Sequence, residues 1–284
     1  MRSMKTKKCV TRLILGLITL FIWIPLWMLL SGSFMGALEI GDNLSPVLGL
    51  KDGLAKWSVL PRYPTLRPYV ELLLDSPGFF NMFWNSCIQV FPELLGQLLI
   101  AVPAAWSFAR FRFRGKRILF TIYIILMVMP FQVTMVPSYL VLNRLGLMDS
   151  HLALILPNIF STFPVFIMVK FFKSIPESLL EAARLDGAGE FSIFLKIGVP
   201  MGASGIISAI ILGFLEYWNA IEQPLTFLKN KALWPLSLYL PNITTDKAAV
   251  SLAASVIMMT PALLIFLFGQ RYLEEGIQAS GMKE

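Results

Sequence analysis

The sequence predicts an all-α, polytopic membrane protein with six transmembrane helices. Hydrophobic residues make up 56% of its 284 residues and charged residues only 14%, whereas soluble domains contain roughly 25% charged residues. The mean hydropathy is +0.71. Several apolar runs also reach the roughly 20 residues that an α-helix needs to cross the hydrocarbon core. Together these observations indicate that the chain is embedded in a lipid bilayer.

Six apolar runs define the predicted spans, with boundaries that hold to about two to four residues. The spans cover residues 13–30, 86–109, 118–140, 152–171, 201–222 and 248–269. The prolines inside them should kink the helices where neighbouring helices can satisfy the freed carbonyls. They are Pro92, Pro103, Pro130, Pro137, Pro157 and Pro164. Two interpretations of these prolines stay open: irregular packing, or helices that rearrange. An even number of spans places both termini on one side of the membrane.

The distribution of Lys and Arg predicts which side that is, because these residues accumulate in cytoplasmic loops. Residues 1–12 read MRSMKTKKCVTR, and the loop after the second span reads ARFRFRGKR. We therefore expect a protein of the cell membrane with both termini cytoplasmic, including the tail 270–284. The segment 31–84 becomes an outer loop. The net charge of +7 follows from this asymmetry and requires no nucleic-acid partner.

We expect the whole chain, 1–284, to form a single membrane domain, because its outer loop holds no run suited to a separate fold. A short amphipathic helix is predicted there over 66–74. The first span is longer than a signal-peptide core and no A-x-A site follows it, which favours an uncleaved anchor. Cys9 and Cys87 fall near opposite membrane faces, which argues against a disulfide between them.

The sequence contains none of the common catalytic or nucleotide-binding patterns. It lacks a G-x-x-x-x-G-K-[ST] loop, an H-E-x-x-H pair, a G-x-S-x-G turn and any cluster of Cys and His. The only histidine, His151, stands at a helix start, where we expect a solvated capping role. We therefore predict a non-catalytic chain without metal ligands. A membrane-embedded glycosyltransferase-like enzyme is a remote alternative that requires a catalytic acid or a metal site.

A charged segment, residues 174–200, interrupts the apolar chain on the cytoplasmic side. Ser174 followed by Glu177 is typical of a capping box, and Pro176 suits the first helical turn. Gly187 stands where a left-handed residue ends a helix. The segment therefore predicts a short surface helix that ends at Gly187, followed by a second amphipathic run.

The composition of this helix admits two interpretations. Ala182 and Ala183 give a low profile that lets another surface approach the backbone, and Glu181 offers a charge to a basic partner. These features favour a helix that inserts into a groove of a partner. The alternative is an interfacial helix that lies on lipid headgroups.

The spacing of residues in this segment resembles the EAA motif of importer-type ABC transporter permeases. It has Glu181-Ala182-Ala183, then Gly187, Ile197 and Val199-Pro200, with valine where the family usually has leucine. The resemblance implies a cytoplasmic coupling helix that docks into a cleft of a separate ATPase subunit. It implies that the ATPase-coupling residues are Glu181, Ala182, Ala183, Arg184, Asp186, Gly187, Ile197 and Pro200.

Within that superfamily the chain is similar to the MalG-like branch of carbohydrate permeases. The similarity rests on TLRPYVELL, NSCIQV, SFARFRFRGK, WNAIEQPLTFL and the tail QRYLEEGIQASGMKE. The branch often has an acidic residue after Trp-Asn, where this chain has Ala220. Glu216 and Glu222 are the acidic residues nearby.

The resemblance implies a permease subunit of an ATP-driven carbohydrate importer that forms half of a translocation pathway. The implied partners are a homologous second permease, an ATPase dimer that binds ATP and Mg²⁺, and an extracytoplasmic sugar-binding protein. This chain itself would bind no cofactor, and its other surroundings would be membrane lipid. Because the coupling loop is shared across substrates, a polyamine, phosphate or peptide importer stays an alternative.

Polar residues inside the spans are candidates for the substrate pathway, because such groups usually face a bundle interior or an aqueous cavity. The candidates are Gln132, Asn158, Glu216, Tyr217 and Asn219. Glu93 and Gln97 are further polar residues within the second span. The alternative role for all of them is hydrogen bonding between helices. Aromatic side chains such as Tyr217 suit sugar stacking, but they also collect at membrane interfaces.

Overall fold

The fold is described from a computed structural model. The structure describes the backbone of residues 2–47, 52–54, 56–239 and 247–281. Within these ranges it describes side chains only from residue 11 to residue 274. All regular secondary structure in these residues is helical, which confirms the predicted all-α class.

Fourteen α-helices are interspersed with three short helical turns in the described residues. The α-helices are α1 (Arg2–Gly32), α2 (Ala37–Leu44), α3 (Arg67–Leu74), α4 (Pro77–Arg110), α5 (Lys116–Val128), α6 (Phe131–Arg144), α7 (Leu152–Ile159), α8 (Phe163–Ser174), α9 (Glu177–Leu185), α10 (Glu190–Ile193), α11 (Val199–Met201), α12 (Ala203–Trp218), α13 (Glu222–Phe227) and α14 (Ala248–Gly281). A π-helix, Phe194–Gly198, joins α10 to α11, and two 3-10 turns, Lys231–Leu233 and Leu236–Leu238, follow α13.

Four helical stretches are long and apolar enough to cross a membrane. They are Thr11–Gly32, Pro77–Arg110, Leu152–Ser174 and Ala248–Glu274. Two bent pairs satisfy the same test, which gives six spans when each pair counts as one span. The membrane-spanning helical architecture is therefore confirmed, with four to six crossings among the described residues.

One bent pair breaks inside the predicted span 118–140, and the other breaks at the start of the predicted span 201–222. The chain bends by 103° between α5 and α6. It bends by 67° between Glu190–Met201 and α12. In the first pair Met129 is extended at φ −67° and ψ 123°, and Pro130 precedes α6. A residue before proline avoids the helical conformation because its backbone collides with the proline ring. The predicted span 118–140 is therefore two helices with a break at this dipeptide.

The chain divides into two compact units, and the first comprises Met1–Phe80 and Tyr239–Thr260. It contains the loop segment in which a helix was predicted over 66–74, and α3 confirms that helix. Tyr69 there donates a hydrogen bond of 2.7 Å to the Ser33 hydroxyl oxygen. Trp27 likewise donates to the carbonyl of Val59 at 2.8 Å, so side chains tie this segment to the end of α1.

The second unit comprises Asn81–Leu238 and Pro261–Glu284, and it contains the charged segment. Its principal core brings α4, α8 and α12 together around the buried rings of Trp106 and Phe172. Gly205 of α12 permits a close approach, because a Cβ there would come within 2.5 Å of the Phe171 ring. Small residues allow this packing between membrane helices. The single domain of 1–284 stays a prediction.

Candidate functional site

The charged segment forms α9 between α8 and α10, but its start differs from the predicted capping box. Ser174 is the last residue of α8, and its hydroxyl donates to the Phe171 carbonyl at 2.7 Å. Ile175 is extended, as a residue before proline usually is. Pro176 occupies the N-cap without a side-chain hydrogen bond. The prediction that Ser174 caps this helix is therefore wrong.

The end of α9 confirms the predicted left-handed glycine. Gly187 has φ +82°. Its N–H donates to the carbonyl of Arg184 at 3.0 Å, and the N–H of Ala188 donates to that of Ala183 at 2.9 Å. This pair of bonds is the Schellman motif, in which two terminal carbonyls find partners. The chain therefore reverses direction sharply at Gly187.

One face of α9 is anchored in the core of the second unit. Leu180 is 0% exposed and belongs to the core cluster that contains Trp106 and Phe172. Ala183 and Ala188 are half-buried against the same cluster. Full burial of a leucine stabilises a fold by about 1.5–3 kcal/mol. The helix is therefore fixed to the membrane helices by apolar contacts.

The opposite face of α9 is exposed, and we call it the α9 surface. It consists of Ser178, Glu181, Ala182, Leu185, Asp186 and Gly187. The first four of these follow the i, i+3, i+4, i+7 spacing of one helical face. Leu185 is 89% exposed, so a large apolar side chain stands beside the acidic groups of this surface. The surface thus combines small, acidic and apolar groups.

Arg110, the last residue of α4, joins three elements at the base of this surface. Its guanidinium pairs with Glu177 at 3.0 Å and donates hydrogen bonds to the carbonyls of Phe172 and Ile175. The side chain is 8% exposed, and its guanidinium lies 5.8 Å from the Trp106 ring centroid. Its fixed fork of donors suits several acceptors at once. Arg110 therefore links the end of α4 to the end of α8 and the start of α9.

Arg184 continues the network from the other end of α9. It pairs with Glu177 at 3.1 Å and with Glu190 of α10 at 2.7 Å. The hydrogen bond to Glu190, followed by that to Glu177, raises the pKa of Arg184. A cation in the last turn also suits the negative end of the helix dipole. Exposed ion pairs contribute little stability, so these bonds mainly set the orientation of α9 relative to α10.

The structure separates the predicted coupling residues into three groups. Glu181, Ala182, Asp186 and Gly187 lie on the α9 surface, whereas Arg184 is exposed but engaged in ion pairs. The remaining three lie elsewhere: Ala183 and Ile197 are half-buried against the core, and Pro200 is exposed in α11. Their coupling role stays a prediction.

Three residues at this site were not predicted from the sequence. Leu185 and Phe191 expose large apolar side chains, at 89% and 73%. Their signal was an apolar residue on the polar face of an amphipathic segment. Arg110 was visible only as one of several basic residues at the end of the second span. Its role depends on contacts distant in sequence, which no local pattern shows.

Two of the five predicted pathway residues lie in a buried polar network. Asn158 donates to Glu93 Oε1 at 3.2 Å and to Gln223 Oε1 at 3.1 Å, and its carbonyl accepts from Gln97 at 2.8 Å. Gln97 also donates to the Tyr217 hydroxyl. The adjoining cavity of about 10 Å³ is at most large enough for one water molecule. Asn158 and Tyr217 therefore take part in hydrogen bonds between helices.

The other three predicted pathway residues are exposed on this chain. The amide of Gln132 donates to both carboxylate oxygens of Glu222, at 2.9 and 2.8 Å. Asn219 donates to the Leu215 carbonyl at 2.8 Å, and Glu216 is exposed. The structure therefore does not bring all five residues to one site. A pathway role for them stays a prediction.

His151 differs from its predicted role as a solvated cap. It precedes α7, but it makes no side-chain capping hydrogen bond there. The residue is half-buried, and its Nδ1 lies 3.0 Å from the amide nitrogen of Gln89. Burial lowers the pKa of His151. Among the described residues, no group of three or more His, Cys, Asp and Glu side chains could hold a metal ion.

Comparison with solved structures supports the fold. A bacterial ABC transporter involved in the import of the acidic polysaccharide alginate superimposes with a TM-score of 0.81, covering 96% of this chain and 98% of that chain at 22% identity. A second structure is the bacterial alginate ABC transporter in complex with an alginate pentasaccharide-bound periplasmic protein. It gives a TM-score of 0.64 at 18% identity and covers 93% of this chain and 94% of that chain. At these identities the comparison establishes the fold alone.

Comparison of sequences establishes the family. AraQ, the permease protein of an arabinooligosaccharides transport system in Bacillus subtilis, is 29% identical, and the match covers 95% of this chain and 93% of AraQ. SmoH, the permease protein of a sulfoquinovosyl glycerol transport system in Agrobacterium fabrum, is 31% identical, and the match covers 78% of this chain and 80% of SmoH. A family model described as a binding-protein-dependent transport system inner membrane component matches residues 97–279. The chain belongs to this family of inner membrane transport components.

Proposed function

We propose that this chain is the permease subunit of an ATP-driven carbohydrate importer and that the α9 surface is its docking site for an ATPase. As a member of its family it is a non-catalytic membrane subunit. The observation that carries the proposal is the two-sided construction of α9. Leu180 is fully buried, while Glu181, Ala182 and Leu185 on the other face are exposed.

This construction suits the transmission of force. A docking element that moves membrane helices needs an accessible face for its partner and a firm attachment to those helices. Leu180 supplies apolar attachment, and Arg110 joins α4, α8 and α9 through one side chain. A displacement of α9 by a partner is then conveyed to the ends of two membrane helices.

The chemistry of the α9 surface fits a groove in a protein better than lipid headgroups. Glu181 and Asp186 are exposed carboxylates that an anionic membrane surface repels. Leu185 offers an apolar anchor between them, and Ala182 and Gly187 allow close approach. Short helices recognise grooves through such anchors at helical spacing. The occupant of this surface is therefore a protein cleft with basic rims.

A carbohydrate substrate is supported by relatives of different origin. AraQ and SmoH are named for arabinooligosaccharides and sulfoquinovosyl glycerol, and the similar solved structure belongs to an importer of alginate. All three names concern sugar-containing compounds. Of the importer classes that share this coupling loop, the carbohydrate class is therefore favoured over polyamine, phosphate and peptide importers.

The proposed assembly contains a second, homologous permease, an ATPase dimer and an extracytoplasmic sugar-binding protein. ATP and Mg²⁺ bind to the ATPase, and this chain binds no cofactor. Both termini lie in the cytoplasm, as the basic residues near the N-terminus favour. A periplasmic protein occurs in the complex of one similar structure, which supports the binding-protein partner.

Reconstitution of the complete complex in proteoliposomes tests this proposal. ATP hydrolysis should rise when the binding protein is loaded with a glycan, and the glycan should accumulate inside. Polyamines, phosphate and peptides, offered with the same binding protein, should leave hydrolysis at its basal rate. Stimulation by one of those solutes and by no glycan would overturn the carbohydrate assignment.

A further inference from the structure

A basic, aromatic groove lies beside the start of α5, and none of its lining residues belongs to the α9 surface or to the buried polar network. We call it the α5 groove, and its volume is about 550 Å³. It is formed by the end of α4, the loop that follows, the first turns of α5 and the last turn of α8. Its lining residues are Phe108, Phe113, Gly115, Lys116, Arg117, Ile118, Phe120 and Lys173.

The groove concentrates positive charge without an acidic counterpart. Its lining contains three cations, Lys116, Arg117 and Lys173, and no carboxylate. None of the ion pairs formed between described residues involves a cation of the groove. Like charges at short range disfavour one another, so the arrangement gains stability when an anion enters.

Contacts with neighbouring groups position two of the three cations, Lys116 and Lys173. Lys116 donates one hydrogen bond to the carbonyl of Phe111 at 2.9 Å, which leaves two of its three N–H donors for another acceptor. The Lys173 ammonium lies 5.7 Å from the Phe120 ring centroid. Phe120 in turn packs against Phe108, with their centroids 5.5 Å apart. Lys173 therefore lies against the aromatic side of the groove, which Phe108 and Phe120 form.

The surface beyond the groove indicates what kind of anion it accepts. Ile118, Ile122 and Ile125 are exposed and follow the i, i+4, i+7 spacing of one face of α5. Helix α5 is part of a candidate membrane span. A ligand with an anionic head and apolar chains can use the cations and this face together. A small water-soluble anion gains nothing from the apolar face.

We propose that the α5 groove binds the phosphate group of an anionic phospholipid, whose acyl chains lie along the exposed face of α5. Basic pockets at the ends of membrane helices have the charge and depth to hold such headgroups. Charge-assisted hydrogen bonds from lysine and arginine to phosphate oxygens are strong in these settings. The inference depends on the membrane location of the chain and not on the transported solute.

The test compares two lysines of the same helix. Lys173→Gln removes a groove cation, whereas Lys170→Gln removes an exposed cation of α8 that does not line the groove. Both variants change the net charge equally. Lipid binding to the purified full-length chain is measured by native mass spectrometry during titration with phosphatidylglycerol, phosphatidylcholine or inorganic phosphate.

We expect Lys173→Gln to weaken phosphatidylglycerol binding about fivefold and Lys170→Gln to leave it within about twofold. Phosphatidylcholine should bind both variants and the unaltered chain equally. An equal loss in the two variants would overturn the proposal, because binding would then follow surface charge alone. Displacement of phosphatidylglycerol by an equal concentration of inorganic phosphate would also overturn it, because the groove would then be a site for a soluble anion.

Discussion

Gly187 provides a left-handed backbone conformation and also leaves space for a partner to approach the backbone. Substitutions can separate these two properties. Its φ of +82° favours glycine, and a Cβ built on it has no neighbour within 4 Å in this chain. Within the chain, a side chain at this position therefore costs only backbone strain, about 1–2 kcal/mol for most residues. Asparagine adopts the left-handed conformation more readily than alanine, but its side chain is larger.

The ranking of two Gly187 variants distinguishes backbone conformation from the approach of a partner. If an ATPase cleft comes close to this residue, Gly187→Ala should retain more transport than Gly187→Asn, although alanine is the more strained of the two. ATP-dependent uptake in proteoliposomes measures the ranking, with membrane insertion of both variants as the control. Higher transport in Gly187→Asn than in Gly187→Ala would show that Gly187 serves only to end the helix.

Arg110 should matter for stability as well as for coupling. Arg110→Gln loses the pair with Glu177 and leaves the carbonyls of Phe172 and Ile175 short of their donor. We expect a loss of about 2 kcal/mol in the free energy of unfolding. Thermal unfolding of the detergent-solubilised chain measures this loss. The control is Arg114→Gln, which changes an exposed arginine in the loop that follows α4. Equal stability of the two variants would contradict the anchoring role of Arg110.

At the scale of the element, α9 provides a pair of leucines with opposite expected effects. Leu180→Ala removes a buried side chain and should lower stability by about 2–5 kcal/mol. Leu185→Ala changes an exposed one and should alter stability by less than about 0.5 kcal/mol. Co-purification with the ATPase should nevertheless fail for Leu185→Ala. Retention of the ATPase by that variant would exclude Leu185 from the docking surface.

Local sequence rules predicted some elements and missed others for identifiable reasons. The end of α9 at Gly187 and the helix α3 follow from short-range preferences, and the structure confirms both. A kink was predicted at Pro130, and the helix breaks there, whereas α4 continues through Pro92 and Pro103. A proline bends or breaks a membrane helix according to whether neighbouring groups satisfy the freed carbonyls. Those neighbours come from distant parts of the chain.

The same limit applies to the candidate site. The exposed positions of the α9 surface follow from helical periodicity within one segment, so the sequence could indicate them. The network of Asn158, Glu93 and Gln97 joins residues more than 60 positions apart. Composition identifies such residues as polar groups at membrane depth, but it does not identify their partners. Structure was needed to distinguish the interhelical from the exposed candidates.

At the scale of the whole molecule, the direction of insertion is open to a labelling experiment. Leu185 and Leu54 are 89% and 90% exposed, and we expect them on the cytoplasmic and outer sides respectively. With Cys9 and Cys87 replaced by serine, Leu54→Cys should react with an impermeant maleimide in right-side-out vesicles. Leu185→Cys should react only in inverted vesicles. The reverse pattern would place the α9 surface outside and remove the basis for ATPase docking.

The most direct measurement of the coupling claim is a cross-link from the α9 surface in intact cells. A photoreactive residue at Ala182, which is exposed and carries no charge, should form a covalent product with the ATPase subunit. The same residue at Leu54 should form none. A product with the ATPase from Ala182 alone is the expected result, whereas products with lipid only would show that α9 rests on the membrane and does not couple this chain to a motor.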